Sequence, residues 1–171
     1  LALVAATYAD NRPGLEWRAL QDTTNDPIVA RRRPKPYRGF QMSEDYYSGG
    51  QMMWLEADAR IRKLSGGKKS LDDFARAFFG IEDGEWKRQA TYTFDDVVAT
   101  LDGVAHDDWA RFLRDRLDGK APLTGGIEAS GWKLVYKDVP SAYAKAQMKG
   151  DSGAAGFIYS IGLNIGKGGN V

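Results

Sequence analysis

The chain has no cysteine and one histidine, His106. Without thiols there is neither a disulfide framework nor a thiolate metal site. One imidazole and scattered carboxylates fall short of the three protein ligands that a catalytic zinc ordinarily takes, so no metal site is assembled from this sequence by itself. His106 lies between Ala105 and Asp107 at a helix start, where a surface or capping role suits it better than ligation. Neither a Gly-x-Ser-x-Gly elbow nor a Walker-type loop occurs, and a serine or cysteine hydrolase lacks its partners. Charge bias is missing too. The 24 basic and 23 acidic residues leave a formal charge of +1, so no global field recruits nucleic acid or a membrane surface. No apolar run approaches the ~18 residues of a membrane span. Compartment stays open between periplasm and cytoplasm.

What is present suits a globular chain. Of 171 residues, 43% are hydrophobic and 27% charged, enough for a real core in one domain or in one domain plus part of another. Leu1–Ala9 is apolar without a basic flank and reads as the tail of a helix rather than a signal peptide. Leu15–Asp22 has the pattern of two helical turns. From Asn25 to Phe40 the periodicity dissolves: Pro27, Pro34 and Pro36 interrupt it, and five basic residues crowd Arg31–Arg38. Interleaved with Tyr37 and Phe40, that run has the composition of a single-strand nucleic-acid binder. Neutral overall charge and the prolines favour a solvated loop, or the edge of a cleft that meets a peptide carboxylate.

The longest helical pattern runs from Ser43 to Ser65. Ser43 is placed to cap it, and Glu44 and Asp45 put negative charge where the helix dipole favours it. Tyr47, Gly50, Trp54, Ala57, Ile61 and Leu64 recur at spacings of three and four, which predicts one buried stripe. Glu56–Arg60 and Asp58–Arg62 have the spacing of outer-surface pairs. Gly66-Gly67 ends the pattern. Glycine at 49 and 50 costs ~1 kcal/mol each relative to alanine, which implies something packed close to that backbone, either the body itself or a substrate. Ser70 and Asp73 form a capping-box pattern for the next helix, and Thr93-Phe94-Asp95-Asp96 repeats it. Asp107 opens a further helical segment, with Trp109, Phe112, Leu113 and Leu117 on one side and Gly119 at its end.

Beyond Lys120 the character changes. Trp132–Lys137 and Phe157–Ile165 alternate in polarity and are rich in β-formers, with a mobile-looking Ala, Gly, Lys and Ser stretch between them. Gly166–Asn170 reads as a turn after which a partner strand is expected. The expectation is a mainly α multi-helix bundle with a short β-rich C-terminal extension. The divisions fall at 1–120 (helical), 121–156 (strand and mobile connection) and 157–171 (the start of a further β domain). The ragged ends, with no initiator methionine, suit a piece of a longer protein.

Tyr46-Tyr47 is the one candidate for chemistry. A tyrosine hydroxyl has an ordinary pKa of ~10 and is a protonated donor at neutral pH, suited to a developing oxyanion. The same pair also suits plain packing at a helix start, with the hydroxyl at the surface.

The stretch from Ser43 to Asp73 resembles the helical half of the glycyl aminopeptidase family of zinc metallopeptidases. Tyr46-Tyr47-Ser48-Gly49-Gly50 looks like that family's Tyr-Tyr-x-Lys-Gly, and Asp58-Ala-Arg-Ile-Arg62 like its acidic-x-x-Ile-Arg element. Ser65-Gly-Gly-Lys-Lys-Ser-Leu-Asp-Asp-Phe74 is similar to its Thr-Gly-Gly-x-x-Ser-Leu-Asp-Asp. Thr93–Asp96 and Asp108–Phe112 correspond to two later helices. The resemblance covers roughly residues 1–137 and is specific over 43–74. It implies the C-terminal half of a gluzincin-like catalytic domain, with Tyr47 as oxyanion donor, zinc in the parent enzyme and peptide substrates carrying N-terminal glycine or alanine. The zinc-binding His-Glu-x-x-His and a glutamate ligand would precede this chain, and a PDZ-like domain would follow it. Gly49 departs from the pattern, standing where the family has lysine. The alternative is a noncatalytic helical protein-interaction module.

Overall fold

A computed structural model describes residues 1–9, 19–25, 45–81, 84, 91–143, 145–146, 155–157 and 163–165. The Ser43 cap, the Arg31–Arg38 run, most of the Glu82–Ala90 connection and the Gly166–Asn170 turn lie outside those residues. Seven helices occur among the described residues: α1 (Ala2–Ala9), α2 (Leu20–Thr23), α3 (Asp45–Leu64), α4 (Leu71–Phe79), α5 (Phe94–Val104), α6 (Trp109–Leu117) and α7 (Gly125–Ala129). Helices α2, α4 and α7 each pack on α3; α4 packs on α5, α5 on α6, and α6 on α2. Helix α3 is therefore the axis of the bundle.

Local chemistry sets the corners. Gly66 and Gly67 have φ of 62° and 80°, left-handed values that favour glycine, and the Gly67 N–H donates to the Arg62 carbonyl at 2.7 Å. Asp58 then spans the turn, accepting from Arg62 Nε at 2.7 Å and from the Leu71 N–H at 2.8 Å. Both capping boxes form. The Ser70 N–H donates to Asp73 Oδ2 at 2.8 Å, and the Thr93 N–H to Asp96 Oδ2 at 2.7 Å. The cap of α6 is Asp108, whose carboxylate accepts from the Arg111 N–H, one residue beyond the expected Asp107.

The core gathers Met52, Ala57, Ile61, Phe74, Leu101, Trp109, Phe112 and Leu113 against Ala5 and Leu20. Trp109 is fully buried, its indole N–H donating to the Ala105 carbonyl at 2.7 Å. The stripe predicted along α3 is only partly correct. Ala57 and Ile61 are fully buried, but Tyr47 is 68% exposed, Leu64 is 48% exposed and Trp54 is half-buried, stacked on Phe74. The buried row is Gly49, Met53, Ala57 and Ile61, with Met52 beside it. That row advances by four residues throughout, which turns the N-terminal half of the stripe by one position and leaves Tyr47 outside.

The expected Glu56–Arg60 pair is also corrected. Glu56 instead binds Arg116 of α6, with Nε to Oε2 at 2.8 Å, and both side chains keep less than 15% of their surface in solvent. Arg60 reaches Asp107, with Nη2 to Oδ1 at 2.8 Å. The two guanidinium groups lie 3.9 Å (Arg116) and 5.1 Å (Arg60) from the centre of the Phe112 ring. Asp58–Arg62 forms as expected.

Helix α7 went unanticipated, although it lies directly on α3. A Cβ on Gly126 would sit 2.6 Å from the Glu56 backbone nitrogen and 3.1 Å from the Leu55 carbonyl carbon. By contrast, a Cβ on Gly50 would meet nothing within 4 Å among the described residues, so crowding by those residues does not explain that glycine.

The β-rich extension is not found among the described residues. Trp132–Lys137 is irregular, with Trp132, Val135 and Tyr136 exposed. The only β structure among the described residues is one antiparallel hairpin of three-residue strands, β1 (Ala155–Phe157) and β2 (Leu163–Ile165), in which Phe157 pairs with Leu163. A hairpin of that size is not a PDZ-like sheet and does not stand alone in water. The polarity alternation at 132–137 finds no partner edge among the described residues, and without one a β-rich run stays irregular. The fold is a helical bundle.

Two outcomes follow from this packing. Gly126→Ala should destabilise by about 1–3 kcal/mol through backbone overpacking, whereas Gly50→Ala should stabilise by up to ~1 kcal/mol through helix propensity. Urea denaturation of both variants checks the pair, and equal effects would contradict the docking of α7.

The second outcome concerns acid. The Arg60 hydrogen bond holds the Asp107 carboxyl below the ordinary carboxylate range despite some burial. Burial pushes Asp58 up, but Arg62 and the Leu71 N–H outweigh it and leave Asp58 lowered. A depressed folded-state pKa contributes stability above the unfolded value of ~3.9, and that contribution is lost as pH falls through the folded value. Thermal melts should therefore hold their midpoint down to about pH 4 and fall below it. Asp107→Asn should lower the plateau and flatten the fall.

Candidate functional site

Tyr47 stands in the first turn of α3, with its ring largely in solvent. Tyr46 is half-buried and packs against the core. The two rings lie 4.7 Å apart between centroids, tilted by 36°. Gly49 is buried and Gly50 is half-buried. Gly50 follows Tyr47 by three residues, so both lie on one face of the helix, and among the described residues nothing fills that face beside Gly50. The register that removed Tyr47 from the buried stripe is thus what presents its hydroxyl outward.

His106 is the second residue singled out from sequence. Its side chain is 91% exposed, and Nδ1 lies 2.8 Å from Asp102 Oδ1. That contact, with the Asp107 N–H, holds the Asp102 carboxyl below its ordinary range. Nearby, Ser65, Lys68, Lys69 and His106 edge a cavity of about 380 Å³, in which Lys69 Nζ donates to the Val104 carbonyl at 2.8 Å. His106 is paired locally and brings no second ligand. Among the described residues, no three His, Cys, Asp or Glu side chains come together to hold a metal ion. The described residues alone therefore assemble no metal site, and the zinc ligands that the family resemblance implies would lie outside this chain.

Sequence reasoning missed a larger feature. Between α4 and α5, Ala77, Phe78, Phe79, Thr91, Tyr92 and Asp96 line a cavity of about 580 Å³. The Phe78 ring meets Phe79 and Tyr92 edge-on at 5.1 Å each, while Phe79 and Tyr92 remain exposed. The Phe78-Phe79 dipeptide was the signal available. Two adjacent large aromatics on one helix cannot both enter one core face.

The described residues thus offer an exposed tyrosine at the start of α3, a locally paired histidine and an apolar groove. No described helix is long and apolar enough to cross a membrane. No family model matches the chain, and no curated protein matches it.

Proposed function

We propose that this chain is the helical part of a zinc-dependent aminopeptidase similar to the glycyl aminopeptidases, which release N-terminal glycine or alanine from peptides. In this reading it supplies a tyrosine donor and no zinc ligand. The observation that carries the proposal is the exposure of Tyr47 at the start of the longest helix. An aromatic ring kept only for packing gains by burial, and this one leaves 68% of its surface open.

Attack on a scissile carbonyl transfers electron density to the carbonyl oxygen as the carbon becomes tetrahedral. The Tyr47 hydroxyl donates a hydrogen bond to that oxygen, more strongly as its charge grows, and so lowers the barrier rather than tightening ground-state binding. The metal and the glutamate base of such an enzyme come from outside the described residues. Gly49 lies buried where the family carries lysine, so that lysine's role is not filled by this side chain.

A second reading has its own support. The lack of any metal-holding cluster among the described residues, together with the exposed Phe79, Ile81 and Tyr92 around the α4–α5 cavity, favours a noncatalytic helical interaction module. The reading frame upstream separates the two, because the peptidase requires a His-Glu-x-x-His there.

The kinetic test uses the intact protein with glycyl-peptide substrates. Tyr47→Phe should lower kcat by ~10²–10³ while KM changes little, because only a transition-state donor is removed. Tyr46→Phe should remain close to wild type. Equal small effects at both positions would mean that the pair only packs, and an intact protein without peptidase activity would favour the interaction module.

A further inference from the structure

We infer that Tyr46 is the positioning residue for the Tyr47 hydroxyl, an assignment that rests on the function proposed above. Consecutive residues on a helix point about 100° apart and do not ordinarily face each other. Here the two rings nevertheless meet at 4.7 Å and 36°, inside the range of favourable aromatic pairs. The partners are unequal. Tyr46 is held by its packing against the core, whereas Tyr47 is mostly in solvent. One turn further along the same face, Gly50 has no side chain, and a Cβ there would touch nothing within 4 Å among the described residues. Among the described residues no wall stands on that side of Tyr47. The Tyr46 ring is the surface among them that narrows the rotation of Tyr47, converting an exposed rotor into an aimed donor.

A brace of this kind works through its ring. Phenylalanine at position 46 keeps the ring, and methionine fills similar apolar volume without one. Releasing one side chain from a fixed rotamer weakens the interaction it makes by about 2- to 10-fold.

The test measures kcat and KM of the intact protein with a glycyl peptide for Tyr46→Met, Tyr46→Phe and Tyr47→Phe, with thermal melts beside them. The expected result is a kcat about 2- to 10-fold lower in Tyr46→Met with KM unchanged, near-full rescue in Tyr46→Phe, and additivity lost in the Tyr46→Met/Tyr47→Phe double variant. Unchanged kcat in Tyr46→Met overturns the assignment, as does a Tyr46→Phe variant as slow as Tyr46→Met.

A second readout needs no activity and separates the two failures. With 3-fluorotyrosine at position 47, the fluorine resonance should move on Tyr46→Met and stay on Tyr46→Phe. If Tyr47→Phe leaves kcat intact, the proposed function fails, and the fluorine shift alone then decides whether the ring contact exists. A resonance indifferent to Tyr46→Met removes the brace.

Discussion

The Glu56–Arg116 ion pair is the constraint on which the rest of the bundle leans. It joins α3 to α6 with both side chains almost out of solvent, and it lies beneath the Gly125-Gly126 step of α7. Two desolvated charges are tolerable only when each satisfies the other, so the pair fixes how α3 and α6 can sit. The Arg116 guanidinium also donates to the Phe112 carbonyl at 3.0 Å and lies over the Phe112 ring. The glycines of α7 then let a backbone approach that any side chain would block. Helices α6 and α7 thereby converge on one turn of α3.

From this point the consequences run outward along α3. With Gly49, Met53, Ala57 and Ile61 facing the core, the helix has no rotational freedom left, and Tyr47 must face outward at its N-terminal end. Asp58 and the glycines after Leu64 hold the opposite end by fixing where α4 begins. The proposed donor is thus carried by a rigid element rather than by a loop, which suits a group that must meet an oxyanion with little error.

The parts legible in the sequence were those governed by local chemistry. Ser70–Asp73 and Thr93–Asp96 announced their helices because a capping box is satisfied within four residues. Gly66-Gly67 marked the end of α3 for a similar reason. Tertiary choices were less visible. Glu56 and Arg60 have ideal spacing for each other, yet Arg116 and Asp107 offer each a drier and more complete partner. Helix α7 is only five residues long with two glycines, so neither propensity nor periodicity marks it. Trp132–Lys137 shows how far alternation can mislead: it describes a strand's faces and cannot supply a partner strand. At the site, the tyrosine pair was visible at once, but their division into a packed ring and an open one depended on a helix register set by packing.

A double-mutant cycle on Glu56 and Arg116, read by urea denaturation, tests the central claim most directly. Glu56→Gln and Arg116→Met should each destabilise by about 3–5 kcal/mol, because each strands a buried charge. The double variant should cost well under their sum, with a coupling above about 1.5 kcal/mol. Additive single effects below about 1 kcal/mol would place the pair in solvent and contradict the account of how α3, α6 and α7 are held together.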